Sequence, residues 1–281
     1  MGSLDSLPAM KSEPKIIFFT DFDGTITLQD SNDHLTDHLG FGAVERSARN
    51  TAILEGKITF RDGFREMLDS IDTPFDECVE FLCQRVTLDP HFTEFYNWAK
   101  NNNVPVVVLS SGMVPIIHAL LVKLLGHEPE NIQIVANQVA SRDGKDINSK
   151  GGWQIDFHDD RCVHFVAPSQ STALADARCL RTNSHFGHDK SLEIRPYAAI
   201  PKSDRPILLY AGDGVSDISA ARQTDLLFAK KGHDLTIICK RDNIPYTTFE
   251  DWSSILSTTR DLLEGKTTLD DVIAAQKHDN K

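Results

Sequence analysis

The sequence predicts an α/β protein: a three-layer core on a parallel sheet, with a small helical block inserted after the first strand. Three observations carry this. Residues 16–19, 104–109 and 206–211 are short runs, apolar at nearly every position, as expected of strands covered on both faces. Each run ends in small or acidic residues: Asp21-Phe-Asp-Gly-Thr25, Ser110-Ser-Gly-Met113 and Gly212-Asp-Gly-Val-Ser-Asp217. Ligand sites of open parallel sheets lie just beyond such strand ends. Residues 28–88 carry helical spacing and no convincing strand.

In order, residues 31–39 open with capping residues and stop at Gly40. Residues 41–54 keep helical spacing to Gly56. Thr59 caps a predicted helix over 60–71, with Phe60, Phe64, Met67, Leu68 and Ile71 on one stripe. Thr73-Pro74 starts another through Val86, since proline suits a first helical turn. A helix over 91–100 feeds the second strand, and a helix over 114–125 follows it. Residues 132–139 and 153–157 read as strands around the turn Ser141-Arg-Asp-Gly144, a hairpin within an excursion of about 136–186. Residues 159–186 read as a long loop. A short helix over 188–194 carries Lys190, and helices over 218–222, 233–239, 251–263 and 268–275 follow, with a short strand at 226–228. The expected division is a disordered tail over 1–14, a core of 15–28 and 89–281, and a helical cap of 29–88.

Composition bounds the function. The chain has 281 residues, 40% hydrophobic and 25% charged, an ordinary globular balance. A net charge of −12 argues against a nucleic-acid partner but not against a small phosphate held through a cation. No apolar run reaches membrane-spanning length, and residues 1–14 lack the apolar stretch of a secretory signal. Met1-Gly-Ser-Leu-Asp-Ser6 fits the acylation pattern only formally, with acidic Asp5 and no basic cluster following. The five cysteines, Cys78, Cys83, Cys162, Cys179 and Cys239, are scattered, which predicts free thiols in a reducing, cytoplasmic compartment. Oligomeric state leaves no signal.

Asp21 and Asp23, one residue apart at a strand end, share one small volume if the strand geometry continues. An isolated Asp-Phe-Asp-Gly would read as a turn. Here Asp213 and Asp217 stand at another strand end, Ser110 with turn amides at a third, and Lys190 at a helix start. Four carboxylates and one ammonium need a divalent cation, and an all-oxygen donor set suits Mg²⁺.

In order and separation, Asp21-Phe-Asp-Gly-Thr25, Ser110, Lys190 and Gly212-Asp-Gly-Val-Ser-Asp217 resemble motifs I to IV of the haloacid dehalogenase superfamily of phosphohydrolases. The resemblance covers about residues 15–231. It implies a Rossmann-like core and a Mg²⁺-dependent phosphomonoesterase acting on a small phosphorylated metabolite. By that resemblance Asp21 is the nucleophile that becomes an aspartyl phosphate, and Asp23 the general acid, then base. Ser110, Ser111 and Gly112, with Thr25 and Lys190, belong to the phosphate group. The metal set is Asp21, Asp23 and Asp213, with Asp217 either a further ligand or the residue that orients Lys190.

The helical block and Glu55-Gly-Lys-Ile-Thr-Phe60 are similar to the phosphoserine-phosphatase-like branch. Asp30 matches that branch's acid for the substrate amine. Where the branch keeps an arginine for the serine carboxylate, this chain has Met67, and a thioether is no carboxylate clamp. Arg61 and Arg65 are the nearby substitutes, and Phe60 is the aromatic expected closest to substrate. Ser110-Ser-Gly-Met113, Val114-Pro115 and residues 217–228 look closer to the group containing the methionine-salvage phosphatase for 2-hydroxy-3-keto-5-methylthiopentenyl-1-phosphate. Phosphoserine hydrolysis, phosphomutase chemistry and a non-catalytic binding role are the alternatives. His34 and His38 lack a third ligand and read as a polar helix face near the cleft. His158, His164, His185 and His188 read as loop histidines, with a substrate contact by His188 the lesser option.

Overall fold

The computed structural model describes residues 7–160 and 187–279. Seven strands form one sheet: β1 (Ile16–Thr20), β2 (Val106–Met113), β3 (Ile132–Ser141), β4 (Trp153–Asp156), β5 (Ile207–Gly212), β6 (Leu226–Lys230) and β7 (Thr247–Phe249). Their order is β4-β3-β2-β1-β5-β6-β7. Every pair is parallel except β3–β4, a hairpin at one edge. The chain leaves β1 toward β2 and β3, then returns to the other side at β5. That reversal opens a crevice at the carboxyl ends of the central strands.

All five residues of β1 are buried. Ile16 and Phe18 belong to one apolar cluster, while Ile17 and Phe19 belong to a second on the opposite face. A strand apolar at every position is thus one with a core on each side. The first face is covered by α5 (Phe92–Asn101), α6 (Val114–Leu125) and α10 (Trp252–Leu263). The second is covered by α7 (Ser191–Ala198), α8 (Ile218–Ala221) and α9 (Asp234–Asp242). A last helix, α11 (Leu269–Asp279), ends the described chain.

Between β1 and α5 the chain forms α1 (Ser31–Leu39), α2 (Ala43–Leu54), α3 (Phe60–Asp69) and α4 (Phe75–Cys83). Asp30 caps α1 by accepting from the Asn32 and Asp33 amides, and Thr59 caps α3 through the Asp62 amide. Phe64, Met67 and Leu68 are the buried stripe of α3. The two connections to the core lie side by side: Thr27 bridges Leu88, and the Leu28 amide donates to the Thr87 carbonyl. The β3–β4 hairpin holds the far end. The Trp153 indole donates to the Thr73 carbonyl at 2.8 Å, and its ring packs edge-on against Phe75 at 5.4 Å.

Several expectations need correction. The tail expected to be disordered has Pro8–Met10 in a 3-10 turn, with Ala9 buried and its amide donating to the Tyr197 hydroxyl. Packing on a partner 188 residues away supplied the order. Residues 1–6 lie outside the described residues, as do Cys162, Cys179, His164, His185 and most of the 159–186 segment. The second strand does not stop at Leu109. It pairs with β3 through Met113, with a register shift between Ser110 and Met113. The strand β7 was not expected. Its three residues, Thr247–Phe249, owe their strand form to the open edge of β6. Cys78, Cys83 and Cys239 are free thiols, and burial pushes Cys78 up to about 12 and Cys239 up to about 11. No helix among the described residues is long and apolar enough to cross a membrane.

Trp252 joins the first core to the site. It is fully buried against Phe18, Phe92 and Phe95, and its indole donates to the Thr25 carbonyl at 2.8 Å. Trp252→Ala should cost about 3–5 kcal/mol of stability, read from urea unfolding followed by circular dichroism. Trp252→Phe should cost less, since most of the ring contact survives.

Candidate active site

The site is built where β1, β2 and β5 end. The Asp21 amide donates to the Ala211 carbonyl at 2.8 Å, so the ladder holds Asp21 in place beyond the strand. The chain then turns, with the Thr25, Ile26 and Thr27 amides all converging on the Phe22 carbonyl. Gly24 takes φ of +73°, and a Cβ there would stand 2.6 Å from Asp213 Oδ2. Only glycine allows both that backbone and that approach.

Lys190 is fully buried between two carboxylates. Its Nζ lies 2.9 Å from Asp21 Oδ1 and 2.6 Å from Asp217 Oδ1. Burial would lower the ammonium's pKa, but Asp21 and Asp217 more than reverse this and hold it above the ordinary lysine value. Asp217 accepts four hydrogen bonds: from Lys190 and the Tyr210 hydroxyl on Oδ1, and from the Asp213 and Gly214 amides on Oδ2. A carboxylate has about four acceptor sites, so Asp217 is saturated. Gly212 lets it approach, because a Cβ there would meet Asp217 Cγ at 2.5 Å.

Asp213 takes the Thr25 hydroxyl at 3.1 Å on Oδ1, with His233 Nδ1 3.2 Å from Oδ2. Lys230 Nζ donates to the Gly24 carbonyl at 2.7 Å and braces the turn. Asp21 has both of its side-chain contacts, the Phe22 amide and Lys190, on Oδ1; Oδ2 is unengaged among the described residues. Asp23 is held by the start of α1, through the Ser31 amide at 2.8 Å and Asn32 Nδ2 at 3.0 Å. Burial raises Asp21 well above the usual carboxylate range against the pull of Lys190. Burial, with Asp30 nearby, raises Asp23 in the same direction. Carboxylate oxygens of Asp21, Asp213 and Asp217 lie within 4.8 Å of one another. Such crowding is relieved by a cation, and the donors are hard oxygens.

On β2, the Gly112 amide donates to Ser110 Oγ at 2.9 Å inside the bulge, just before α6 begins. A helix start after a bulge presents free amides toward an anion. Ser111 Oγ is buried without a hydrogen-bond partner among the described residues. A cavity of about 210 Å³ joins these parts. Asp21, Asp23, Asp213 and Ser110–Gly112 form its floor. Asp30 and Asn32 flank it, and Asn50, Ile53, Leu54, Phe60 and Phe64 of α2 and α3 close the other side.

Of the expected site residues, Asp21, Asp23, Asp30, Phe60, Ser110, Ser111, Gly112 and Asp213 therefore line one cavity, with Lys190 directly behind. Asp217 stands behind it on Lys190, and Thr25, Met67, Arg61 and Arg65 do not reach it. Thr25 is buried and spends its hydroxyl on Asp213, so it is no phosphate contact. Met67 is packed in the core. Arg65 lies over the Phe157 ring at 5.0 Å, and Arg61 lies over the same ring at 4.1 Å while pairing with Asp160. His34 and His38 pack on each other away from the cavity lining, and His188 is fully buried. The sequence reading missed Asn32, Asn50, Asp234, Lys230 and Tyr210. Asn32 sits two residues beyond Asp30, a proximity that offered a signal; the others come from elements whose facing is set by tertiary packing.

Residues 18–164 match the haloacid dehalogenase-like hydrolase family. The chain is 45% identical to Pdp3-interacting factor 1 of Schizosaccharomyces pombe, over 88% of this chain and 95% of that protein. It is 42% identical to polyol phosphate phosphatase PYP1 of Saccharomyces cerevisiae, over 91% and 97%. It is 28% identical to the 2-hydroxy-3-keto-5-methylthiopentenyl-1-phosphate phosphatase of Bacillus cereus, over 88% and 97%. Among solved structures, a phospho-aspartyl intermediate analogue of phosphoserine phosphatase shares the fold, with a TM-score of 0.57 at 19% identity, covering 87% of this chain and 98% of that one.

Gly24 offers a test of the acidic cluster that removes no carboxylate. Gly24→Ala should push Asp213 aside and weaken Mg²⁺ binding more than about tenfold, read by isothermal titration. Its circular dichroism spectrum should match that of the unaltered protein.

Proposed function

The chain belongs to the haloacid dehalogenase-like hydrolase family, and on that premise we propose that it is a Mg²⁺-dependent phosphomonoesterase for the phosphate esters of small, hydroxyl-rich alcohols that are themselves uncharged. The observation that carries this reading is the meeting of Asp21, Asp23, Asp213 and the Ser110–Gly112 amides on one cavity, with Lys190 behind Asp21. The hydroxyl-rich substrate is supported by the likeness to a polyol phosphate phosphatase and by the cavity walls.

The steps follow from the contacts. The substrate phosphate lies against the Ser110–Gly112 turn, on the Ser110 hydroxyl and the Ser111 amide, while the Gly112 amide holds Ser110 Oγ. Asp21 Oδ2 attacks phosphorus opposite the leaving oxygen, while Lys190 keeps Oδ1 in place and offsets charge. The ester P–O bond breaks as the carboxyl–phosphate bond forms. Asp23, whose pKa burial has raised, gives its proton to the departing alkoxide. Asp23 then takes a proton from water as that water attacks the aspartyl phosphate, releasing inorganic phosphate and restoring Asp21. The Asp21 and Asp213 carboxylates with the Asp23 carbonyl would hold Mg²⁺, which offsets repulsion between Asp21 and the phosphate dianion. Asp217, with all its acceptor sites used, has the role of holding Lys190.

The alcohol half is read by the other wall. Among the described residues, the lining contains carboxylates and amides, Asp30, Asp234, Asn32 and Asn50, but no arginine or lysine. Among these residues a substrate carboxylate would meet several acids and no cation, which disfavours phosphoserine. Hydroxyls satisfy such acceptors without charge.

Phosphate release from a panel of small phosphate esters tests this. Polyol phosphates should be cleaved with kcat/KM at least about tenfold above phosphoserine, and without a bisphosphate primer. Asp21→Asn should fold normally and lose turnover by about three orders of magnitude or more. Undiminished turnover in that variant would overturn the nucleophile, and a primer requirement would indicate a mutase.

A further inference from the structure

Outside the cavity, His158, His188 and Glu193 bring one ligand atom each to within 4.8 Å of one another. We propose that these three side chains form a second metal site, selective for a Zn²⁺-type ion and separate from the carboxylate cluster.

His188 supplies the observation that this is more than a chance grouping. It is fully buried, and neither of its ring nitrogens has a hydrogen-bond partner among the described residues. A buried imidazole without partners carries the full cost of its desolvation. Burial also pushes its pKa down to about 3, against the opposing pull of Asp159. Neutral imidazole is the form that binds a metal. The His158 ring lies 4.7 Å away, centroid to centroid.

The surroundings repeat a known order of shells. Asp159 Oδ1 lies 3.7 Å from Nδ1 of both His158 and His188, while its Oδ2 accepts the Asp189 amide. His158 Nε2, the other edge of that ring, is 3.9 Å from Glu193 Oε1. A carboxylate behind the imidazoles, with a second carboxylate on the metal side, is the usual way a protein orients histidine ligands. Two imidazoles and a carboxylate suit Zn²⁺, whereas Mg²⁺ demands oxygen. Bonds of about 2 Å require the donors to draw in from their present spacing. His158 and Glu193 can do so, since their side chains are 22% and 28% exposed and also leave a way in for the ion. The ion would tie the turn at His158–Asp160 to the start of α7, beside Lys190.

The test uses the full-length protein, stripped of metal and returned to saturating Mg²⁺. Zn²⁺ is then titrated in competition with a chromophoric chelator. One Zn²⁺ per chain should bind, and His158→Gln and Glu193→Gln should each weaken it more than about tenfold. Asp213→Asn, which damages the carboxylate cluster, should leave that affinity unchanged. Co²⁺ in place of Zn²⁺ should show a ligand-field spectrum of nitrogen ligation that His158→Gln abolishes. No Zn²⁺ uptake in the presence of Mg²⁺ would overturn the site. So would uptake that survives both substitutions, since it would come from other groups such as the thiols.

Discussion

The fully buried ammonium of Lys190, shared by Asp21 and Asp217, is the contact on which the site depends. A lone buried charge of either sign would be unaffordable, and an ion group survives only when its remaining hydrogen-bonding positions are filled. They are filled here. Asp217 takes two backbone amides and the Tyr210 hydroxyl as well as the lysine. The close approach of Asp217 to Gly212, and of Asp213 to Gly24, leaves no room for a Cβ at either glycine. The glycines therefore belong to the electrostatics as much as to the turns.

The inserted helices add a second constraint. Asp23 hangs from the β1 turn, but the donors on its carboxylate come from Ser31 and Asn32 at the start of α1. The same Asn32 lines the cavity, and its Oδ1 is a buried acceptor without a partner among the described residues. The proposed general acid and the wall facing the substrate alcohol are thus parts of one hydrogen-bonded unit. The β3–β4 hairpin anchors the opposite end of the insertion through Trp153, Arg142 and Gly151. In the proposed mechanism this arrangement would couple substrate selection to proton transfer, because the donors on Asp23 belong to α1.

Much of this was legible before any coordinates. The fully apolar runs of β1, β2 and β5 announced a parallel sheet with two cores, and Ile17 and Phe18 do fall on opposite faces. Asp21, Asp23, Ser110 and Asp213 were legible because each sits at the end of such a run. What escaped was facing. Arg65 and Met67 were candidates by their place along the chain, yet α3 turns them to Phe157 and to the core. Thr25 looked like a phosphate contact and instead supports Asp213. The Pro8–Met10 turn and β7 are too short to declare themselves, and each is ordered by a surface remote in sequence.

Taken alone, the chain's residue order determined the sheet, the insertion, and which strand ends carry acid, hydroxyl or glycine, because these are local properties of pattern and spacing. Tertiary structure alone decided that Lys190 sits between Asp21 and Asp217, with the oxygens of Asp217 filled and Asp21 Oδ2 left open, and among the described residues it kept basic side chains out of the cavity wall. It also set His188 beside His158 and Glu193. These outcomes turn on contacts between segments far apart in sequence, where a rotation of one helix exchanges a ligand for a core residue.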